Sequence, residues 1–186
     1  MTKSPPEQAE SPFVAHLGDI ARRDDRAALA ALRRGLAAVP GSVAEMHPCV
    51  TPFLPSGTWQ WLHECYYITA ALFGLHPDPR GQGNMGQTMR MVSDRAGGAS
   101  IEQRFVALLK CHRDDLFDHL RHAVSLAKSK EVPICWEQLF RDIRNWDSDQ
   151  QWVQRNWARS FWGSATAAPA VKTNTAANDL SKGEEA

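Results

Sequence analysis

Apolar side chains recur at intervals of three and four residues in almost every segment between residues 12 and 163, the spacing of one face of an α-helix. No segment shows the convincing alternation of apolar and polar residues that marks a half-buried β-strand. Stretches rich in proline and glycine interrupt the helical pattern at 38–58 and 77–86. The sequence therefore predicts an all-α protein, built as a helical bundle in which neighbouring helices are close in sequence.

The stretch at 77–86 is the candidate boundary between two helical lobes. It divides the patterned region into an N-terminal lobe, residues 12–80, and a C-terminal lobe, residues 81–163. Residues 1–11 are polar and contain two adjacent prolines, and residues 164–186 are rich in Ala, Thr, Asn and Ser without any aromatic residue. Such segments cannot bury enough apolar surface to fold, so both ends are predicted to be disordered.

The segment from Asp147 to Gly163 contains three of the seven tryptophans and predicts one helix. Ser148 or Asp149 could cap its start, and Gly163 lies where a helix would stop. At 100° per residue, one face carries a purely apolar stripe. The stripe consists of Val153, Trp157 and Phe161. Arg155 and Arg159 point to nearly the opposite side, where they could hold phosphates or form an ordinary solvated surface.

The net charge limits how the chain could bind nucleic acid. Twenty-one Lys and Arg residues balance twenty-one Asp and Glu residues, so no overall field attracts polyanions. The segments 1–12 and 164–186 each carry a net charge of −1, which leaves +2 on residues 13–163 together with all seven histidines. Any nucleic-acid site must therefore be a local patch of basic residues.

Several basic pairs could form such a patch. Arg26, Arg33 and Arg34 belong to a predicted helix that Asp24 or Asp25 starts, beside a leucine stripe, and the others are spread over the C-terminal half. The remaining candidates are Lys128, Lys130, Arg141, Arg144, Arg155 and Arg159. Guanidinium groups bind phosphate in a bidentate manner without reading sequence, so the expected contact follows the backbone. Each pair taken alone is more typical of a solvated or salt-bridged face, and four acidic residues lie close enough in sequence to neutralise them. These are Asp24, Asp25, Asp142 and Asp147.

Enzymatic chemistry has little support in the sequence. His119 and His122 are three residues apart with His112 nearby, a spacing that can bring two imidazoles to one helix face, but the His-Glu-x-x-His pattern is missing. The glycine-rich run 81–86 lacks the Gly-Lys-Ser/Thr ending of a phosphate-binding loop and follows no strand, so a turn with positive φ is the better interpretation. We expect a protein without catalytic residues, metal or cofactor.

The cysteines and the hydropathy pattern predict a soluble, cytoplasmic protein with no membrane partner. Four widely spaced cysteines form no Cys-x-x-Cys pair and are typical of reduced thiols that fill the core. No apolar run approaches the roughly 20 residues that span a bilayer. The cysteines are Cys49, Cys65, Cys111 and Cys135.

An ordered series of short motifs resembles one known family over about residues 24–163. In sequence order the motifs are Leu32-Arg-Arg-Gly35, Ala71-Leu-Phe-Gly-Leu-His-Pro77, Gly83-Asn-Met-Gly86, Glu102-Gln-Arg-Phe-Val-Ala-Leu-Leu109, Leu126-Ala-Lys-Ser-Lys130, Pro133-Ile-Cys-Trp-Glu-Gln-Leu-Phe-Arg-Asp-Ile143, Trp146-Asp147 and Val153-Gln-Arg-Asn-Trp-Ala-Arg-Ser-Phe-Trp162. Together they resemble the CasB family, the small subunit of the type I-E CRISPR Cascade surveillance complex. The alanine-rich tail lies outside the family pattern.

The resemblance implies an all-α protein of two helical lobes without enzymatic activity. Its implied partners are the other Cascade subunits, a second copy of itself, the crRNA–target DNA and the displaced DNA strand. Basic surfaces would contact the target strand and steady the displaced strand of the R-loop, while guide–target pairing selects the sequence. Two alternatives remain open, a purely structural helical adaptor without nucleic-acid contact and a histidine metalloenzyme.

Overall fold

The computed structural model describes residues 11–57 and 59–163, and over these residues the chain is helical and contains no β-strand. The α-helices are α1 (Pro12–Arg22), α2 (Arg26–Arg34), α3 (His47–Val50), α4 (Gln60–Leu75), α5 (Met85–Ala96), α6 (Ala99–Lys110), α7 (Arg113–Ser129), α8 (Trp136–Arg144) and α9 (Trp152–Trp162). Short 3₁₀ turns connect α2 to α4. The all-α prediction is confirmed. The predicted disorder of residues 1–11 and 164–186 lies outside the described residues except at Ser11, whose backbone amide donates a hydrogen bond to Glu137 at 2.9 Å.

Helix α4 lies at the centre of the fold. It packs against α2, α7 and α8, and residues 67–74 are buried on every side of the helix. This explains why its sequence is apolar nearly all round, since a helix covered by neighbours has no solvent face to keep polar. Trp59 immediately precedes this helix and is 84% exposed.

Local capping agrees with the sequence at α2 and differs from it at α9. The Asp25 carboxylate accepts a hydrogen bond from the Ala28 amide at 2.9 Å and starts α2. The prediction that Ser148 or Asp149 caps α9 is wrong. After α8 the chain makes a further turn in which Trp146 is buried. Helix α9 begins only at Trp152, after Gln151, which has φ +47°. Gly163 does follow the last residue of α9.

One cluster of buried hydrophobic residues extends across both halves of the chain. The ring centroids of Phe13 and Phe140 are 5.3 Å apart, and those of Phe73 and Trp136 are also 5.3 Å apart. Aromatic pairs at this separation add to the apolar area that the two halves bury together. The division into lobes at residues 80 and 81 stays a prediction.

Glycines in the segment 81–86 allow close packing as well as turning. Gly83 has φ +74°, as expected of a turn glycine. Gly81 and Gly86 serve another purpose, because a Cβ at Gly86 would lie 2.0 Å from the Trp157 carbonyl oxygen and one at Gly81 would lie 2.1 Å from the Ile134 carbonyl carbon. Gly86 therefore lets α5 approach the backbone of α9, and this approach shapes the surface between the two helices.

Candidate nucleic-acid interface

The apolar stripe of α9 anchors the helix in the core, as predicted. Val153 and Trp157 are fully buried, and Phe161 stacks on Phe105 with ring centroids 4.5 Å apart. The stripe fixes the rotation of α9, so the opposite face must point outward. Arg155 and Arg159 lie on that face and are exposed.

Asp142 locks α8 to α9 from inside the protein. Its carboxylate is 1% exposed and accepts hydrogen bonds from Trp157 Nε1 at 2.6 Å and Gln138 Nε2 at 2.8 Å. Burial raises the pKa of Asp142 to about 6, although both hydrogen bonds oppose that rise. The suggestion that Asp142 is a surface acid that neutralises arginines is therefore wrong.

The other acidic residues have distinct local roles. Asp24 pairs with Arg26 at 3.1 Å, as the sequence suggested, whereas Asp25 caps α2. Asp147 pairs with Arg113 at 3.0 Å, and Arg113 was not among the candidate residues. Within the described residues, no carboxylate lies within 4 Å of the charged groups of Arg155 or Arg159, so these cations face solvent.

A polar groove lies between α5, α8 and α9. Two adjoining pockets of about 280 and 420 Å³ form it and share Gln87 and Ser160 in their walls. Arg159 lines the first pocket, and Arg80 and Arg90 line the second. Amide side chains contribute much of the remaining wall of the first pocket. They are Asn84, Gln87, Gln138 and Asn156.

The arginines of the groove differ in how strongly they are engaged. Arg80 binds the Asp78 carboxylate through two contacts, at 2.8 and 2.7 Å, which hold the pKa of Asp78 below its usual range. Arg90 has no hydrogen bond or ion pair through its guanidinium in the part of the chain that the structure describes. Arg90 and Arg159 are therefore the two available cations in this groove. We call the surface carrying them the α5–α9 groove.

The loop after α7 continues this surface. Pro133 lines the same pocket as Arg90, and the Arg95 guanidinium donates to the carbonyls of Lys130 and Glu131, the latter at 3.1 Å. These bonds hold the loop against α5. Neither Lys128 nor Lys130 has a carboxylate within 4 Å of its ammonium group among the residues described, so no acid there neutralises either charge.

Two further candidates, Arg141 and Arg144, belong to α8. Arg141 borders the α5–α9 groove, because it contacts Gln138 at 3.4 Å and Glu137 at 3.9 Å. Arg144 lies over the Phe140 ring at 5.3 Å from its centroid and lines a separate pocket.

The three α2 arginines are engaged within the protein. Arg26 pairs with Asp24, Arg34 lies 3.6 Å from the Glu45 carboxylate, and Arg33 Nε donates to the Gly74 carbonyl at 2.9 Å. The last contact satisfies a carbonyl at the end of α4, where helix carbonyls lack partners. None of the three lines either pocket of the groove.

Sequence reasoning missed Arg80, Arg90 and Arg95. Each is at least five residues from the next Lys or Arg, so none belongs to the close basic clusters from which the other candidates were selected. Their proximity to the glycine run was the available signal, because glycines that permit close helix packing also bring side chains on both helices together.

The positions of the histidines and the lengths of the helices are relevant to metal binding and to membrane crossing. In residues 11–57 and 59–163 no group of three or more His, Cys, Asp or Glu side chains is placed to hold a metal ion. His119 and His122 instead line a pocket of about 460 Å³ with Arg104. No helix of the described chain is long and apolar enough to cross a membrane.

Comparison with known proteins identifies the family of the chain. The family model "CRISPR-associated protein Cse2" matches residues 28–162. The Cse2 protein of Thermus thermophilus is 40% identical over 144 residues, which are 76% of this chain and 82% of that protein.

Solved structures agree with this match. CasB from M. ruber superimposes with a TM-score of 0.68 at 28% identity, covering 82% of this chain and 91% of that one. A chain of a structure described as a CRISPR RNA-guided surveillance complex superimposes with a TM-score of 0.65 at 26% identity, covering 80% of this chain and 92% of that one. The protein described here therefore belongs to the Cse2 family of CRISPR-associated proteins, also called CasB.

Proposed function

We propose that this chain is a non-catalytic subunit of a cytoplasmic CRISPR RNA-guided surveillance complex, in which it holds the target and displaced strands of the R-loop through backbone phosphates. Family membership supports the assembly, because a chain of similar fold occurs in a structure of such a complex. The other subunits and a second copy of this chain are its proposed protein partners. Its proposed nucleic-acid partners are the crRNA–target DNA and the displaced strand.

The single observation that carries the proposal is the α5–α9 groove. Two arginines without carboxylate partners in the described chain, Arg90 and Arg159, line adjoining polar pockets. Arginine binds phosphate oxygens through paired N–H groups, and the amides in the wall can donate further hydrogen bonds. Such contacts hold a backbone without reading its bases, as expected where guide pairing selects the sequence.

The zero net charge fits a subunit better than an independent DNA-binding protein. A free protein needs long-range attraction to capture DNA, whereas a subunit is already held at high effective concentration by its neighbours. A local groove then suffices. The proposal therefore gives the α2 arginines an internal structural role and the groove the phosphate contacts.

Charge reversal in the assembled complex tests the proposal. The double variant Arg90→Glu/Arg159→Glu should remain in the complex but weaken target binding at least tenfold, since two attractive phosphate contacts become repulsive. Arg26→Glu is the matched control, because Arg26 is exposed and lies away from the groove. Retention of the subunit with unchanged target affinity in the double variant would refute the groove as the contact.

A structural adaptor is the second candidate, and exposed apolar side chains favour it. Val39 is 74% exposed, and Met91 and Trp162 are 43% and 40% exposed, as expected of residues that a partner protein covers. The adaptor predicts that surface variants are lost from the complex, whereas the first proposal predicts retention with weaker DNA binding. Copurification of each variant with the other subunits distinguishes these outcomes.

A further inference from the structure

A pocket beside the start of α4 combines an exposed indole with a cation that the α5–α9 groove does not use. The pocket has a volume of about 470 Å³ and is lined by Trp59, Trp61, Arg113, Arg144 and Ser148, among others. Trp59 is 84% exposed, the highest value among the large hydrophobic side chains described. An exposed flat ring beside a pocket offers a surface against which a planar group can pack. We call this pocket the tryptophan pocket.

The backbone of Trp59 is held in place although its side chain is exposed. Its carbonyl accepts hydrogen bonds from the amides of Leu62 and His63, so it forms part of the first turn of α4. Trp61, two residues later, packs against the core, and the Arg113 guanidinium lies over its ring at 5.3 Å from the centroid. The pocket therefore has a rigid floor with an aromatic platform at its edge.

The two arginines of the pocket differ in availability. Arg113 is neutralised by Asp147 at 3.0 Å and Asp114 at 3.7 Å. Arg144 is exposed, and its guanidinium contacts the face of Phe140 rather than a carboxylate of the described chain. A guanidinium over an aromatic ring keeps its N–H groups free for an anion. Arg144 is thus the cation of this pocket that no carboxylate of the described chain neutralises.

We propose that the tryptophan pocket binds one unpaired nucleotide, with its base stacked on Trp59 and its phosphate bound by Arg144. Every base has a flat face that can stack on an indole, so the site needs no sequence preference. The proposal rests on the proposed function, because a displaced strand supplies unpaired nucleotides. It adds a second contact, specific for single strands, to the phosphate contacts of the α5–α9 groove.

Two strands with equal phosphates but different bases test the proposal on the full-length chain. One is a fluorescently labelled twelve-nucleotide oligothymidine, and the other is an abasic strand of the same length, both measured by fluorescence anisotropy at low salt. Trp59→Ala should weaken binding of oligothymidine about tenfold and leave the abasic strand unchanged, whereas Trp59→Phe should keep most of the affinity. Arg144→Ala should weaken binding of both strands.

Trp162→Ala is the matched control, because it removes another exposed tryptophan that lies outside the pocket. Unchanged thermal unfolding of Trp59→Ala would show that the fold is intact. Equal affinity of wild-type protein for the two strands, or normal binding of oligothymidine by Trp59→Ala, would overturn the proposal. Normal strand binding combined with loss of Trp59→Ala from the complex would assign the pocket to a partner protein and equally overturn it.

The groove variant Arg90→Glu/Arg159→Glu separates this proposal from the proposed function. It should weaken binding of both strands by the same factor, since the groove contacts phosphates alone. If this variant binds both strands with normal affinity while Trp59→Ala weakens binding of oligothymidine only, the groove proposal fails and the pocket proposal stands. If the groove variant weakens binding of both strands and Trp59→Ala weakens neither, the groove proposal stands and the pocket proposal fails.

Discussion

Helices α2 and α9 both carry arginines beside an apolar stripe, but the fold uses these arginines differently. On α2, Arg33 caps the end of α4 through the Gly74 carbonyl, and Arg34 faces Glu45 at 3.6 Å. On α9, Arg159 points into a polar groove without a carboxylate partner among the described residues. The comparison teaches that neighbouring elements decide whether a surface arginine is available to a ligand. Spacing along one helix does not.

The anchoring of α9 in the core depends most on Trp157. Replacing it with Ala would remove a fully buried ring and leave the Asp142 carboxylate without its shortest hydrogen bond. We expect the free energy of unfolding to fall by about 3–5 kcal/mol. Denaturant unfolding measures this loss. The same substitution at the exposed Trp162 should cost much less, and equal losses would show that the stripe does not anchor α9.

A buried carboxylate makes the α9 side sensitive to pH. Because the pKa of Asp142 is about 6 in the folded state and 3.8 is its ordinary value, the folded state binds the proton more tightly. The resulting stabilisation is complete below about pH 4 and is lost as the pH rises through 6. It amounts to about 3 kcal/mol, at roughly 1.4 kcal/mol per pKa unit.

Asp142→Asn tests this pH dependence, because Asn keeps an acceptor for Trp157 Nε1 but cannot ionise. Unfolding free energies measured from pH 4 to pH 7 should fall more steeply for the wild type than for the variant. Parallel curves would show that Asp142 does not titrate in this range.

The α2 side of the comparison predicts a change in stability without a change in binding. Arg33→Ala would leave the Gly74 carbonyl without its charged donor, and we expect a loss of about 1 kcal/mol in the free energy of unfolding. Target binding by the complex should be unchanged. Arg26→Ala, which breaks only an exposed ion pair, is the control and should cost less than about 0.5 kcal/mol. Weaker target binding by Arg33→Ala would restore α2 as a nucleic-acid contact.

The sequence predicted what depends on periodicity within one helix. The inward stripe of α9 follows from apolar spacing alone, because the 3.6-residue period fixes which side chains share a face. The family, too, is indicated by the amino-acid sequence alone, because its short motifs occur in the family's order along most of the chain.

Features that depend on packing between distant helices could not be predicted. The α5–α9 groove requires the close approach at Gly86, and nothing in the local sequence connects Arg90 with Arg159. Asp142 resembled a surface acid because it stands next to Arg141, yet its direction is set by Trp157, fifteen residues later. Helix α9 starts late because Trp146 is buried in the turn before it, and rules for helix capping do not take such burial into account.

The salt dependence of target binding by the assembled complex tests the difference between α9 and α2 most directly. Each phosphate contact contributes about 0.7–0.9 to the slope of log K against log salt concentration. Arg90→Ala/Arg159→Ala should therefore reduce the slope by about 1.5 for each copy of the subunit, whereas Arg33→Ala/Arg34→Ala should leave it unchanged. Equal slopes for the two double variants, or a larger reduction for the α2 pair, would contradict the assignment of phosphate binding to the α5–α9 groove.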